Sequence, residues 1–159
     1  MTMIEDAPTA VHRGEDDLPW VDNGHGTEVK LLVAKVQDAL WIVRTRFAPG
    51  VEVQTHKHTG QVYAYTQSGA WHYAESEYVN RAGSFLYEPA GSIHTLLVPA
   101  DNTEPTDVWF QIYGANLNLD PDGNVDSITD AASVLEYYLG ACEEMGLPNP
   151  PVLTDDSDA

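Results

Sequence analysis

The feature that most constrains the fold is a series of short β-rich segments between Val29 and Tyr113, separated by turn residues. Branched and aromatic residues favour extended backbone, whereas glycine and proline interrupt it. The expected strands are Val29–Val36, Leu40–Phe47, Val51–His58, Gln61–Thr66, Ala70–Tyr73, Tyr78–Asn80, Ser84–Glu88, Thr95–Val98 and Asp107–Tyr113. Because no helical pattern separates them, they predict an all-β fold, an antiparallel sandwich or β-barrel.

The pattern changes near the end of the chain. Apolar residues recur every three or four positions between Ser127 and Gly146, which predicts one amphipathic α-helix packed on the outside of the sheets. Ser127 or Thr129 is the expected N-cap, and Gly146 is the expected stop. We therefore expect an irregular N-terminal arm over residues 1–26, a domain over 27–147 that includes a helix at 127–146, and a frayed acidic tail over 148–159.

Charge and composition narrow the possible partners. The chain has 7 Lys and Arg against 25 Asp and Glu, a net charge of −18, so we expect neither nucleic acid nor an anionic membrane as a partner. Cys142 is the single cysteine, which excludes an internal disulfide and a thiolate metal cage. The N-terminus has no signal-peptide pattern and no apolar run approaches a membrane span, so we expect a cytoplasmic protein.

Three histidines form the chemical pattern of this sequence. His56 and His58 form an H-x-H on a predicted strand, and alternation along a strand projects both imidazoles from one face. His94 follows the turn Pro89-Ala-Gly91, which delivers a third imidazole from another strand. Imidazoles that converge from two strands predict a divalent metal site. We interpret the remaining histidines as surface or packing residues: His12, His25 and His72.

The spacing around these histidines resembles the two motifs of the cupin superfamily. The matching positions are glycines, a proline and the three histidines: Gly50, His56, His58 and Gly69 in the first motif, and Gly83, Pro89, Gly91 and His94 in the second. The resemblance implies an RmlC-like jelly-roll β-barrel, and we expect a homodimer or homotetramer. Val62 stands where most cupins carry a ligand glutamate, so the chain resembles the three-histidine type, in which more coordination positions stay open to substrate.

A closer resemblance is to the 2,4′-dihydroxyacetophenone dioxygenase family. It rests on Thr55–Val62, on Tyr87–His94 and on the ending Tyr137–Leu147, and runs from about Val29 to Leu147. This resemblance implies Fe(II) held by His56, His58 and His94. It also implies cleavage by O2 of the bond between a carbonyl carbon and a hydroxylated carbon, which yields two carboxylic acids. The expected substrate is a small oxygenated ketone of the aryl class.

Four further residues are candidates for the site. Glu88 ends a predicted strand six residues before His94. If it faces the barrel interior, its carboxylate lies near the metal, where it would orient a ligand or accept a proton from the substrate hydroxyl. The alternative is an ordinary glutamate at the edge of a loop, in contact with water. Tyr73, Gln111 and Tyr113 are the candidate pocket residues, because tyrosine suits an aryl ketone through stacking and hydrogen bonding.

Two alternatives keep the metal and change the function. The chain could be a zinc-binding sensor of the kind that resembles the ChrR anti-sigma factor, although that class needs a helical partner-binding domain. It could also be an isomerase or hydrolase with another divalent metal. Sequence does not choose among Fe, Zn, Ni and Mn at a three-histidine site.

Overall fold

The β-rich segments pair into two sheets that face each other, as the sequence predicts. The computed structural model describes residues 4–158. The first sheet has seven strands in the order β1-β2-β3-β10-β5-β8, with β13 beside β2. Its strands are β1 (Val21–Asp22), β2 (Thr27–Lys35), β3 (Leu40–Phe47), β5 (Val62–Ser68), β8 (Phe85–Glu88), β10 (Thr106–Tyr113) and β13 (Leu153–Thr154). All pairs are antiparallel except β13 with β2.

The second sheet has six strands in the order β12-β11-β4-β9-β6-β7. Its strands are β4 (Glu52–His58), β6 (Ala70–Tyr73), β7 (Asn80–Arg81), β9 (Ile93–Leu97), β11 (Asn116–Leu119) and β12 (Val125–Thr129). Short 3-10 turns occupy Val36–Asp38 and Asp155–Asp158. The predicted all-β jelly roll with a C-terminal helix is confirmed, because one helix, α1 (Ala131–Glu144), follows these strands.

Strict alternation along the strands builds the core. In β3 the buried positions are Trp41, Val43, Thr45 and Phe47, and the residues between them are half-exposed. In β10 the alternating set Val108, Phe110 and Ile112 is buried. Because successive strand residues point to opposite faces, these apolar sets meet between the two sheets. By the same rule, the residues between these buried positions point to the outside of the sandwich.

The helix begins four residues later than the sequence pattern suggests. Ser127 and Thr129 belong to β12, so neither is the N-cap. Asp130 is the cap: it accepts a hydrogen bond from the Ser133 backbone N–H at 2.9 Å, and Ser133 Oγ accepts one from the Asp130 N–H at 2.9 Å. Gly146 follows the helix with a positive φ of 75°, which fits its predicted role as the stop.

Both ends of the chain are more ordered than the sequence suggests. In the arm, Leu18 and Val21 are 2% exposed, and β1 pairs with β2. The tail contributes β13, and Val152 is buried before it. The expected irregular arm and frayed tail are therefore only partly right, because short apolar stretches in both dock on the edge of the first sheet. No helix among residues 4–158 is long and apolar enough to cross a membrane.

Candidate metal centre

The backbone of β4, β9 and the turn before β9 brings the predicted histidines together. His56 and His94 are Cα partners across the β4–β9 pair. The His58 N–H donates to the Ser92 carbonyl at 3.0 Å, and the Gly91 N–H donates to the His58 carbonyl at 2.7 Å. Gly91 has a φ of 87°, a conformation that glycine adopts without strain. The glycine turn thus ties the end of β4 to the start of β9.

The strand β8 supplies a carboxylate from the opposite sheet. Glu88 ends β8, and its Cα partner on β5 is Val62, the position where most cupins carry a ligand glutamate. The side chain points inward and is 2% exposed, whereas Phe85 and Tyr87 on the same strand are exposed. Glu88 Oε2 lies 3.2 Å from His58 Nε2. The carboxylate of Glu88 therefore lies on the strand beside Val62, the position at which the cupin motif has a glutamate and this chain does not.

The closest set of potential ligands is His58, Glu88 and His94. One ligand atom from each lies within 4.8 Å of the others. This set differs from the expected three histidines, because Glu88 belongs to it and His56 does not. The His56 ring is still adjacent, with its centroid 4.8 Å from that of His58. Its Nδ1 donates to the Gln54 carbonyl at 2.9 Å, which leaves Nε2 as the nitrogen available to a metal.

The atoms of this set fit a divalent cation. Nδ1 of His58, Oε1 of Glu88 and Nε2 of His94 are buried and have no polar partner within the described chain, while His58 Nε2 and Glu88 Oε2 have only each other, at 3.2 Å. Buried polar atoms without partners are costly, and imidazole and carboxylate donors suit first-row divalent metals. Burial lowers the pKa of both His56 and His94 below its usual value. Both rings therefore stay neutral at physiological pH, as metal ligation requires.

A stack of aromatic rings holds His94 in place. The Tyr73 ring is nearly parallel to the His94 ring, at a tilt of 16° and a centroid distance of 4.1 Å. Trp71, on the same face of β6, meets Tyr73 edge to face at 5.1 Å. Both aromatic residues are buried, so this stack limits rotation of the His94 ring.

A cavity of about 530 Å³ lies between the sheets, and His56, His58, Glu88 and Tyr73 line it. Its other walls are mainly apolar: Trp41, Val43, Phe47, Leu96, Phe110 and Ile112. Of the three predicted pocket residues, only Tyr73 lines this cavity.

Gln111 and Tyr113 do not line this cavity, which corrects the sequence prediction. They share the outward parity of β10, where Gln111 Nε2 donates to Tyr113 Oη at 2.9 Å. Gln111 lines a groove on the outside of the sheet. Sequence reasoning also missed Phe110 and Ile112, and the alternation of β10 was the signal available. The inward residues Val108, Phe110 and Ile112 are all apolar, whereas Asp107 and Gln111 make the outward set partly polar, so alternation indicated the outer face for Gln111.

Comparisons with known proteins agree with this fold. The profile of the family described as the ChrR cupin-like domain matches residues 9–112. A protein of unknown function with a cupin-like fold from Ralstonia eutropha JMP134 is 32% identical, with a TM-score of 0.79 over 91% of this chain and 95% of that one. An RmlC-like cupin from the same organism is 27% identical, with a TM-score of 0.85 over 96% and 98% of the two chains.

A more distant structure shares only the fold. The acetylacetone dioxygenase of Acinetobacter johnsonii is 16% identical, with a TM-score of 0.72 over 85% of this chain and 93% of that one. No curated protein matches the sequence. The chain belongs to the ChrR cupin-like domain family, and its fold is that of the RmlC-like cupins.

Proposed function

We propose that this cupin is an Fe(II)-dependent dioxygenase that cleaves the carbon–carbon bond beside the carbonyl group of a small oxygenated ketone. The substrate class is an α-hydroxy aryl ketone such as 2,4′-dihydroxyacetophenone. Both atoms of one O2 enter the products, which are two carboxylic acids, so no other reductant is consumed. The substrate class follows from the sequence resemblance rather than from the cavity.

One observation carries the proposal: unpartnered buried nitrogen and oxygen atoms lie beside a mainly apolar cavity of about 530 Å³. Such a volume falls within the usual range of about 300–1,000 Å³ for small-molecule sites. The unpartnered atoms of His58 and Glu88 belong to residues that line this space, where a bound molecule has access to them. A purely structural core would have paired these atoms or replaced them with apolar groups.

The residues that would hold the metal are His58, His94 and His56, the last through Nε2. When bound, iron would supply Lewis-acid activation of the substrate oxygens and reactivity toward O2. The chain's own contribution is to lower the pKa of His56 and His94 by burial and to fix the directions of both rings. The Gln54 carbonyl orients His56, and the Tyr73 ring orients His94.

Glu88 is the group that would move a proton. Its carboxylate is 2% exposed, with Oε2 3.2 Å from His58 Nε2, and Oε1 has no polar partner in the described chain, so a substrate hydroxyl can donate to it. If Glu88 instead ligates the metal, it removes one of the open positions on which this proposal depends.

The apolar walls would hold the aryl group and exclude water. Trp41, Phe47 and Phe110 provide aromatic surface for stacking. Exclusion of water strengthens the interaction of the Glu88 carboxylate with a substrate hydroxyl, because the local dielectric constant is low.

The test is oxygen uptake after metal-free protein is loaded with Fe(II) under anaerobic conditions. We expect uptake of one O2 per molecule of 2,4′-dihydroxyacetophenone, with 4-hydroxybenzoic and formic acids as products. With labelled O2, each acid should carry one labelled oxygen atom. A His94→Ala variant serves as the inactive control. Absence of uptake with this ketone, with other α-hydroxy aryl ketones and with β-diketones would overturn the proposal.

The family match favours one second candidate, a metal-binding sensor. A sensor of this kind would bind zinc tightly and show no turnover after iron loading. It would also change its association with a protein partner when zinc is removed. The described residues contain one α-helix, which packs on the first sheet through Tyr138 and Cys142, both 0% exposed. That helix is therefore occupied by its own fold, which favours the enzyme.

A further inference from the structure

The cavity between the sheets extends along the whole length of β3. All four inward residues of that strand line it, from Trp41 to Phe47. Six positions along an extended strand correspond to roughly 20 Å. A cavity of about 530 Å³ that extends over this length is narrow, so its shape fits an elongated molecule.

The candidate metal centre lies at the Trp41 end of this cavity. Strand pairing places Glu88 beside Val62 on β5. Val62 in turn pairs with Ile112, and Ile112 pairs with Trp41, so these residues form one row across the first sheet. Because Glu88 lies 3.2 Å from His58, this row also sets the level of the metal ligands within the sandwich.

The Phe47 end is the mouth of the cavity. Phe47 pairs with Thr27, and the turn before Thr27 contributes Asn23 and His25 to the lining. Both of these residues are exposed, as is Glu52 at the start of β4 on the opposite sheet. The lining residues of the metal centre are buried instead. A ligand that enters at the mouth therefore has its reacting group at the closed end and its other end near solvent.

The ketone 2,4′-dihydroxyacetophenone, the parent ketone below, is shorter than this space. At ordinary covalent bond lengths its two outermost oxygen atoms lie roughly 8 Å apart. With its hydroxyl and carbonyl oxygens at the metal centre, it leaves roughly 10 Å of the cavity unfilled toward the mouth. The walls of this part are mainly apolar, formed by Val29, Phe47, Val51 and Val53. An apolar group bound there would be removed from water.

We propose that the substrate is an α-hydroxy aryl ketone that carries an apolar tail at the para position of its ring. This inference rests on the proposed function, because the tail points to the mouth only when the ketone oxygens lie at the metal centre. The para position lies opposite the ketone group and continues the long axis of the molecule. A tail at the meta position would turn into the cavity wall.

The test is the affinity of zinc-loaded protein for three ligands, measured by isothermal titration calorimetry. They are the parent ketone, the ketone with a butoxy group in place of its 4′-hydroxyl, and the 3′-butoxy isomer. Zinc binds the ligand oxygens without turnover. Each buried methylene group raises affinity by about fourfold, so the 4′-butoxy ketone should bind about tenfold more tightly than the parent, or better. It should exceed the 3′ isomer by the same factor. Because the two isomers have the same composition, their difference reports the shape of the cavity.

Variants that fill the cavity near its mouth locate the tail. Val29→Phe should reduce the advantage of the 4′-butoxy ketone over the parent to about threefold or less. Val53→Phe should do the same from the opposite sheet, so a folding defect in one variant leaves the other to decide. Val125→Phe is the matched control, since Val125 is 53% exposed on the second sheet, and it should keep the full advantage. Circular dichroism of each variant should match the wild type.

Several outcomes would overturn the tail. These are equal affinity for the two isomers, a parent ketone that binds as tightly as its 4′-butoxy derivative, no binding of either butoxy ketone, and a 4′ preference that persists in both filled variants.

The tail and the proposed activity fail separately. Oxygen uptake with the parent ketone, but no 4′ preference, would keep the dioxygenase and overturn the tail. A 4′ preference in zinc-loaded protein, without oxygen uptake by the iron-loaded protein on any of the three ketones, would support an elongated ligand in this cavity and overturn the dioxygenase.

Discussion

Two clusters of polar side chains lie on opposite faces of the first sheet, and they differ in how their atoms are paired. On the outer face, Arg44 donates to both oxygens of Asp107 at 2.9 and 2.7 Å and to Glu15 at 2.6 Å. On the inner face, His58, Glu88 and His94 lie close together, and most of their polar atoms have no hydrogen-bond partner in the described chain. The outer cluster is complete within the fold, whereas the inner cluster fits an external ligand.

This comparison separates two uses of buried charge. A buried ion pair whose members satisfy each other is part of the folded structure, and removal of one member leaves the other uncompensated. Buried groups that remain unpaired lower the stability of the protein without ligand and are retained where they bind or react. Substitutions in the two clusters should therefore have opposite signatures, with stability lost from the outer cluster and ligand affinity lost from the inner one.

The largest effect is expected from His94→Ala. Loss of one imidazole should weaken the affinity for Zn(II) on the order of 1,000-fold, because a site with an open coordination sphere has few ligands to spare. Titration against a competing chelator measures this affinity. His72→Ala is the matched control, since His72 lies on the neighbouring strand β6 and its Nδ1 contacts the Tyr73 carbonyl. Retained affinity in His94→Ala would show that the histidine assignment is wrong.

The position of the inner cluster follows from local sequence features. The H-x-H pair falls on alternate strand positions, and His56 and His58 are both buried while Lys57 between them is exposed. The Pro89–Gly91 turn sets the start of β9, and hence the register of His94. Such features can be predicted from the sequence because the alternation of a strand and the position of a glycine turn depend only on near neighbours in the chain.

Other features depend on contacts that spacing does not encode. An aromatic side chain suits either face of a strand, and Trp109 and Tyr113 lie outward because Phe110 and Ile112 fill the interior. The arm and the tail dock through Leu18, Val21 and Val152, which join the same hydrophobic core as the strands of the two sheets. The helix begins at Ala131 because β12 pairs with β11 as far as Thr129. In each case tertiary packing decides between local alternatives.

The second largest effect is expected in the outer cluster, from Asp107→Ala. The carboxylate of Asp107 raises the pKa of Arg44, whose side chain is only 15% exposed. Its removal should cost about 2–3 kcal/mol of unfolding free energy, less than for a fully buried pair because Glu15 still contacts Arg44. Urea denaturation measures the loss, and exposed Asp101→Ala is the control. A change no larger than the control would mean that the outer cluster does not stabilise the fold.

Glu88→Gln should change the free energy of unfolding in the opposite direction to Asp107→Ala. In metal-free protein the neutral amide removes the cost of burying a carboxylate that is 2% exposed and has only His58 Nε2, at 3.2 Å, as a close polar neighbour, so we expect stability to rise by about 1 kcal/mol. Urea denaturation of chelator-treated protein measures it, with Glu52→Gln at the exposed edge of the cavity as the control.

The same variant tests how Glu88 is used. If Glu88 is a proton acceptor, the Glu88→Gln variant should keep a zinc affinity within about tenfold of the wild type. Its turnover should fall by about 100-fold or more, the range of general-base catalysis. If zinc affinity falls as far as in His94→Ala, Glu88 is a metal ligand. The three-histidine prediction is then wrong, and the metal has fewer positions open to substrate than the proposed function needs.

The smallest effect is expected from Glu15→Gln, at the exposed end of the outer cluster. The Arg44 hydrogen bond is the largest influence on the Glu15 carboxyl and lowers its pKa, but the Glu15 side chain is 60% exposed, so solvent screens the pair. We expect a loss of about 0.5 kcal/mol at pH 7 and low salt, as for other surface ion pairs. The pH dependence of this effect follows from the lowered pKa. A carboxylate with a lowered pKa stabilises the fold above its unfolded-state pKa and loses that contribution as the pH falls through the folded-state value.

The difference in stability between wild type and variant should therefore disappear in acid, and it should shrink in about 0.5 M salt. A difference that persists in acid would assign the effect of Glu15 to packing of the arm rather than to charge, and the outer cluster would then depend on Asp107 and Arg44 alone.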